Sequence, residues 1–262
     1  METILELRGL TKRFGNLTAV NDLSLTMRKR SIHALIGPNG SGKTTTVGMI
    51  NGTLPYSVGN VMFDGEDITG MKNHTIARKG VGRTFQNIKL FATMTVLENI
   101  MVGGHTLNPR STNIVQYLFR VNNSLREETV LKEKAEAVLE FIGLKEYANR
   151  EVGSLAYGLR KITEFGRALM GEPKLILLDE PAAGLNPSER VALIDTFIKA
   201  YERGTDFFLI EHNMDVVMNI STVITVLNFG TKIAEGTPKE IQTNPEVISA
   251  YLGRRYLKEV AR

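Results

Sequence analysis

The sequence predicts an α/β fold: a core of buried strands and helices built around one glycine-rich turn, with an antiparallel β subdomain and an inserted helical subdomain. Three observations carry this prediction. The first is the apolar run Ile32-His33-Ala34-Leu35-Ile36, which leads into Gly37-Pro38-Asn39-Gly40-Ser41-Gly42-Lys43-Thr44-Thr45 and then into a helix through Thr46 to Ile50. The second is the presence of two further apolar strands, Leu175-Ile176-Leu177-Leu178 and Phe207-Phe208-Leu209-Ile210, each ending at charged residues. The third is a change of composition from β-rich to helical near Thr95 and back near Lys174. The expected parts are 1–94, 95–173 and 174–262, together one domain.

A chain of 262 residues is long enough to bury a substantial core. With no cysteine, a small disulfide-stapled fold is excluded. The opening Met1-Glu2-Thr3-Ile4-Leu5-Glu6 is neither a signal peptide nor a transit peptide, so the protein is expected to stay where it is made. No apolar run approaches the roughly 18 to 20 residues that span a bilayer, so any membrane role must be peripheral. The net charge of +4 comes from scattered Lys and Arg residues and gives no sign of nucleic-acid binding.

Taken in order, Ile4-Leu5-Glu6-Leu7 and Leu23-Ser24-Leu25-Thr26-Met27 alternate apolar and polar, as half-buried antiparallel strands do. Between them, Phe14-Gly15-Asn16 is turn-rich. Phe14 has two readings, a ring stacked on a nucleotide base or a plug at a sheet edge; by analogy with base stacking elsewhere, the first is worth about 1 to 3 kcal/mol. The glycines of residues 37–45 let successive backbone N–H groups point into one bowl, and the following helix adds its positive end. This is a P-loop, since strand, turn and helix all agree with the pattern. Lys43 is aimed at the β and γ phosphates, and Thr44 offers a hydroxyl to nucleotide-bound Mg²⁺.

After Asn51-Gly52, the stretch from Gly59 to Ile68 reads as a hairpin strand with an Asp64-Gly65 turn. Val81-Gly82-Arg83-Thr84-Phe85-Gln86 is a short strand, and the Gln86 amide carries an oxygen for Mg²⁺ or water. Residues 87–94 are irregular. Thr95 caps a helix, Gly103 to Asn123 reads as a surface excursion, and Arg126 to Phe141 recovers a helical pattern with one apolar face. Leu155-Ala156-Tyr157-Gly158 opens another helix, with an apolar stripe of Leu159, Ile162, Phe165 and Leu169, and its N-terminus is a second anion-attracting site. One nucleotide does not need two such sites, but a dimer can use both. Asp179 and Glu180 end a buried strand: Asp179 would hold Mg²⁺ through water and Glu180 would polarise the attacking water. A helix follows from Ser188. His212, past the last apolar strand, would point into the same crevice and contact the γ phosphate.

In this order, Phe14, the P-loop, Gln86, Leu155-Ala156-Tyr157-Gly158, Asp179-Glu180, Gly184-Leu185-Asn186 and His212 resemble the ATP-binding cassette of an ABC transporter over essentially the whole chain. The sequence is similar to the ATPase subunits of branched-chain amino-acid importers through 81–86, 94–99, 178–187, 210–214 and 244–253. The resemblance implies an ABC ATPase fold, with ATP and Mg²⁺ as ligands and Lys43, Glu180 and His212 as catalytic residues. It also implies a second cassette, as homodimer or paralogue, closing head to tail over two MgATP. The further partners implied are two polytopic permease subunits, an extracytoplasmic solute-binding protein reached through them, and no nucleic acid, at the cytoplasmic face of the plasma membrane. Related cassettes serve amide and urea importers. Soluble cassettes usually carry two copies per chain or a long coiled coil, and neither pattern is present here.

Three residues depart from the usual pattern. Ala156 stands where most cassettes have Ser, Leu159 replaces a polar residue, and Asn186 replaces Asp; the first two are what a non-hydrolysing regulatory cassette would show. Loss of one such hydroxyl donor costs about 3 kcal/mol of transition-state stabilisation in other enzymes. The segment with Ile88, Leu90 and Phe91 is expected to dock a membrane-subunit helix, subdomain packing being the competing reading. The basic tail, Gly253 to Arg262, reads as a solvated helix or a contact to anionic lipid.

Overall fold

The computed structural model describes residues 2–106 and 121–252. The expected tail from Gly253 lies outside these residues, as does most of the excursion between Gly103 and Asn123.

Strands β1 (Thr3–Phe14) and β2 (Leu17–Arg28) form a long antiparallel hairpin. Along β2, Leu23, Leu25 and Met27 point into the core, while Ser24 and Thr26 face solvent, which is the period-two pattern written in the sequence. β4 (Val58–Phe63) pairs with the other side of β1 and turns at Asp64 and Gly65 into β5 (Glu66–Asp67). Both turn residues have positive φ, 48° and 83°, as a two-residue hairpin loop requires.

The second sheet has the order β10-β9-β3-β8-β7-β6. Its strands are β3 (Ile32–Ile36), β6 (Val81–Arg83), β7 (Leu175–Asp179), β8 (Asp206–Ile210), β9 (Val223–Asn228) and β10 (Thr231–Gly236). All neighbours from β9 to β6 are parallel, and only β10 is antiparallel. Every residue of β3, β7 and β8 is buried. Alternate residues feed two cores: Ile32, Ala34, Ile176, Leu178, Phe207 and Leu209 enter one, and Leu35, Leu175, Leu177, Phe208 and Ile210 enter the other. This explains the unbroken apolar runs, because a parallel sheet covered on both faces has no polar side to write into its sequence.

The short strand β6 ends at Arg83, three residues earlier than the apolar pattern implied. Thr84 N–H still donates to Leu177 O at 3.0 Å, while Phe85 and Gln86 leave the sheet. Helices α1 (Lys43–Ile50) and α2 (Asn73–Arg78) precede β6, and between β6 and β7 lie α3 (Val96–Gly103), α4 (Val121–Phe141) and α5 (Tyr157–Leu169). Thr95 caps α3, as the sequence indicated, and the structure adds a reciprocal bond to the Glu98 side chain. The ring of Phe165 on α5 meets Phe197 edge-on at 4.6 Å, and both lie within 6.0 Å of Phe207 on β8. Phe197 belongs to α6 (Pro187–Glu202), which starts one residue before the expected Ser188 because Pro187 fits the first helical position and Asn186 supplies the cap.

Segment 86–94 is strapped to the inserted helices. The Asn99 side chain, fully buried on α3, accepts from Phe91 N at 2.9 Å and donates to Phe91 O at 3.1 Å and Thr95 O at 2.9 Å. Asn99→Ala is expected to destabilise the protein by about 2 to 3 kcal/mol, read from urea unfolding, because buried backbone partners lose their bonds.

On β3, His33 is 1% exposed, and its Nε2 lies 2.8 Å from Thr225 Oγ1, which in turn donates to Glu235 at 2.9 Å. Since the Thr225 hydrogen points to Glu235, the imidazole is the donor in the first bond and carries its hydrogen on Nε2. Burial pushes its pKa down from 6.5 to about 4. Unfolding therefore takes up a proton between these values, and stability should fall as pH drops through that window. Unfolding free energies from pH 7 down to about 4.5 should show this slope, and His33→Gln should flatten it.

Candidate functional site

The phosphate-loop residues follow β3 and precede α1 (Lys43–Ile50). Gly37 has φ of 152°, and a Cβ there would lie 2.1 Å from Leu227 O. Gly42 has φ of 103°, with Ala19 O 2.5 Å from such a Cβ. No other residue fits either place without moving backbone. Gly40 and Asn39 are exposed, Pro38 is half-buried and Ser41 is buried. Lys43, 5% exposed, donates from Nζ to Gly37 O at 2.8 Å and Pro38 O at 3.0 Å. The lysine thus closes the loop on itself. Burial lowers its pKa, against the opposing pull of Glu180 and Asp179. Thr44 is exposed and Thr45 half-exposed on the first turn of α1.

Asp179 is the last residue of β7 and is 2% exposed. Burial raises its pKa, and the hydrogen bond from Arg83 Nη2, at 3.1 Å to Oδ2, works the other way. Its Oδ1 is buried with no hydrogen-bond partner. Glu180, the next residue, has φ of 49°, a left-handed backbone that costs a non-glycine residue of order 1 kcal/mol or more. Its N–H donates to Ile210 O at 2.9 Å, which ties the kink to β8. The kink turns the carboxylate toward two partners: Oε1 lies 2.7 Å from His212 Nε2, and Oε2 accepts from Gln86 Nε2 at 2.8 Å. Three groups chosen from sequence, Gln86, Glu180 and His212, therefore meet directly, although they follow three different strands.

Leu155-Ala156-Tyr157-Gly158 stands apart from them. Among the described residues, no hydrogen bond or ion pair joins 155–158 to 37–45. Ala156 is the N-cap of α5 and makes no side-chain cap bond, so the first-turn amides lack a capping side chain. Within the chain this turn packs on the segment after Glu180: a Cβ on Gly184 would lie 3.2 Å from the Tyr157 ring, and one on Gly158 would lie 2.7 Å from the Glu189 carboxylate. Asn186 caps α6 by accepting from Glu189 N at 3.0 Å, so its side chain has a structural use within the chain. Phe14 is 47% exposed at the end of β1, with Lys12 Nζ 4.8 Å from its ring centroid. The same hairpin sets Ala19 and Val20 against Gly42.

Three contributors escaped the sequence reading. Glu211, 4% exposed, accepts from Ala182 N at 2.8 Å, His212 N at 2.7 Å and Asn213 N at 3.1 Å, locking the segment after Glu180 to the one bearing His212. Lys161, also 4% exposed, donates to Gln86 O at 3.0 Å, and burial lowers its pKa. Arg83 pairs with Asp179. A charged residue directly after the apolar run Phe207 to Ile210 was the available signal for Glu211, whereas Lys161, beside Arg160, carried none. Nothing local marked Arg83, because only strand pairing brings it to Asp179.

The crevice combines a cation in a backbone bowl, two acids, an amide and an imidazole at the C-terminal edge of one sheet. It suits transfer of a phosphoryl group to water. A hard cation is suited by the orphaned Asp179 Oδ1, the Thr44 hydroxyl and the Gln86 amide, all oxygen donors. Among the described residues, no group of three or more His, Cys, Asp or Glu is arranged to hold a metal by itself. The donor set thus fits magnesium that arrives with phosphate oxygens supplying the rest of its shell.

Residues 20–183 match the family described as ABC transporter, and residues 231–256 match the one described as branched-chain amino acid ATP-binding cassette transporter. The high-affinity branched-chain amino acid transport ATP-binding protein BraF of Pseudomonas aeruginosa is 45% identical over 251 residues, 95% of this chain and 98% of that protein. LivG of Escherichia coli K12, of the same description, is 41% identical over 253 residues, 96% of this chain and 98% of its own length. A crystal structure of the ADP conformation of an ATP-binding cassette of an ABC transporter is 32% identical, with a TM-score of 0.83, covering 97% of this chain and all of that one. The matched core spans both the lysine-bearing loop and the Asp179-Glu180 strand end, and on this footing the chain belongs to the ATP-binding cassettes of ABC transporters, an ATPase family.

Proposed function

We propose that this chain is the ATP-hydrolysing subunit of an importer for branched-chain amino acids. It would sit at the cytoplasmic face of the membrane beneath two polytopic permease subunits, paired with a second cassette and served by an extracytoplasmic binding protein. The observation that carries the hydrolytic reading is the meeting of Glu180 with Gln86 and His212 beside the Lys43 loop. The cargo reading rests on the names of the relatives, BraF and LivG. No described helix is long and apolar enough to cross a membrane, so transport would require separate membrane subunits.

In this scheme residues 37–45 bind the phosphates through backbone amides, and Lys43 exchanges its two carbonyl partners for phosphate oxygens. Magnesium, when bound, neutralises charge on the transferring phosphoryl group. Thr44, Asp179 and Gln86 are its proposed protein-side contacts. Glu180 orients and polarises the attacking water, and His212 reaches the γ phosphate once its contact to Glu180 is exchanged. Phe14 offers its half-open ring to the base. Leu155, Ala156, Tyr157 and Gly158 lie away from this chain's own loop, which fits service to the nucleotide of a second cassette through the α5 amides and Gly158.

A groove lined by Asn51, Thr53, Arg83, Phe85, Val102 and Arg167 separates the inserted helices from the sheet. Phe91, 51% exposed, lies on the strapped segment, whereas Leu90 packs into the helical core. Both sequence readings of this segment thus have support: Leu90 serves packing, and Phe91 is open to a membrane subunit.

Glu180→Gln should lower ATP hydrolysis by about 10² or more while leaving ATP binding intact. Uptake of labelled leucine in vesicles carrying the assembled transporter should be lost with it, and uptake of urea or amides in place of leucine would reassign the cargo. Because the chain has no native cysteine, Phe91→Cys provides a single thiol. It should cross-link to a membrane subunit in the assembled transporter, and failure to do so in a complex that still transports counts against docking there.

A further inference from the structure

The Arg83 guanidinium has no part in the chemistry above, yet it is the hydrogen-bonding partner of the buried Asp179 side chain. We propose that Arg83 is a positioning residue that holds Asp179 Oδ2 so that Oδ1 is presented to the cation accompanying the nucleotide. The proposal rests on the nucleotide reading of the crevice and adds a determinant of metal affinity to it.

The parallel pairing of β6 with β7 sets Arg83 opposite Leu177, two residues before Asp179. From there Nη2 reaches Asp179 Oδ2 at 3.1 Å, with the two side chains 15% and 3% exposed. The two carboxylate oxygens are unlike: Oδ2 is bonded, while Oδ1 is buried and unpartnered. A buried acceptor left open is costly unless something else fills it. A free carboxylate turns easily about its last torsion, and a bond to one oxygen fixes where the other points. The clamp is itself held. Arg83 Nη1 lies 3.4 Å from Thr53 Oγ1, and the guanidinium stands 4.9 Å from the Phe85 ring centroid. Thr53 Oγ1 donates to Asn51 Oδ1 at 2.7 Å, and Asn51 is the C-cap of α1. Arg83 thereby links the acid of β7 to the far end of the helix that carries Lys43 and Thr44.

Electrostatics alone would give the opposite sign. A guanidinium beside a divalent cation repels it, so deleting the charge should tighten metal binding if charge were all that mattered. If orientation dominates, deletion weakens binding, and partners behind a metal ligand typically matter by 10- to 100-fold in affinity.

The test uses the purified full chain and a ribose-labelled fluorescent ATP analogue, titrated in EDTA and then with Mg²⁺ at fixed nucleotide. For Arg83→Gln, which removes the charge and shortens the side chain while leaving one amide donor, the Mg²⁺ midpoint should rise about tenfold. Affinity in EDTA should change less than twofold. Arg83→Lys keeps the charge and one donor but loses the fork, so its midpoint should fall between the two, about threefold above the parent's. An unchanged or lowered midpoint in Arg83→Gln overturns the proposal, as does an equal loss with and without Mg²⁺, which would mark a general lesion. If Arg83→Gln shows no cooperative thermal unfolding, Arg83→Lys decides alone, and a midpoint equal to the parent's overturns the proposal. A parent chain that binds no nucleotide at all would refute the nucleotide reading itself, whereas a parent that binds with Mg²⁺ and variants that match it would refute only the role of Arg83.

Discussion

The arrangement depends on a sheet whose central strands are buried on both faces. β3, β7 and β8 have no solvent side, so any polar chemistry they carry must leave from their ends. Parallel pairing points the same ends in one direction, so the Lys43 loop, Asp179-Glu180 and Glu211-His212 emerge along one edge. In open parallel sheets the crevice outside the carboxyl ends of the strands is where ligands bind, and the order β9-β3-β8-β7-β6 places the lysine-bearing turn near its middle.

Charges drawn into that edge are each compensated in a particular way. Lys43 is held by two carbonyls, Asp179 by Arg83, Glu211 by three amides and Lys161 by the carbonyl of Gln86. Burial without such partners would cost several kcal/mol per charge. None of these arrangements is a simple surface ion pair, and several use backbone groups that ligand binding or loop movement can free.

Gln86 is where the parts join. Its side-chain amide holds Glu180 while its carbonyl accepts from Lys161 on α5. The following residues are fixed to the same helix, since Lys89 N–H donates to the buried Glu164 and Arg167 donates to Lys89 O. Burial raises the pKa of that glutamate. A shift of α5 relative to the sheet would therefore carry Gln86 with it and change what Glu180 faces. This is a physical route between the inserted helices and the Glu180 carboxylate.

Much of the fold was legible in sequence because its periodicities are local. Leu23 to Met27 alternate since one face of that strand is covered, and Ile32 to Ile36 do not since both faces of theirs are. The capping threonine at 95 and the Asp64-Gly65 turn likewise declare themselves within four residues. The phosphate loop, the paired acids and the histidine were identifiable as residue types at strand ends. Sequence by itself could not say that β6 would stop at Arg83 or that Glu180 would take a left-handed backbone. Those outcomes are set by contacts between residues up to about a hundred positions apart, such as Arg83 with Asp179 and Gln86 with Glu180. Strand order and register decide which distant side chains share a few ångströms, and neither has a local signature.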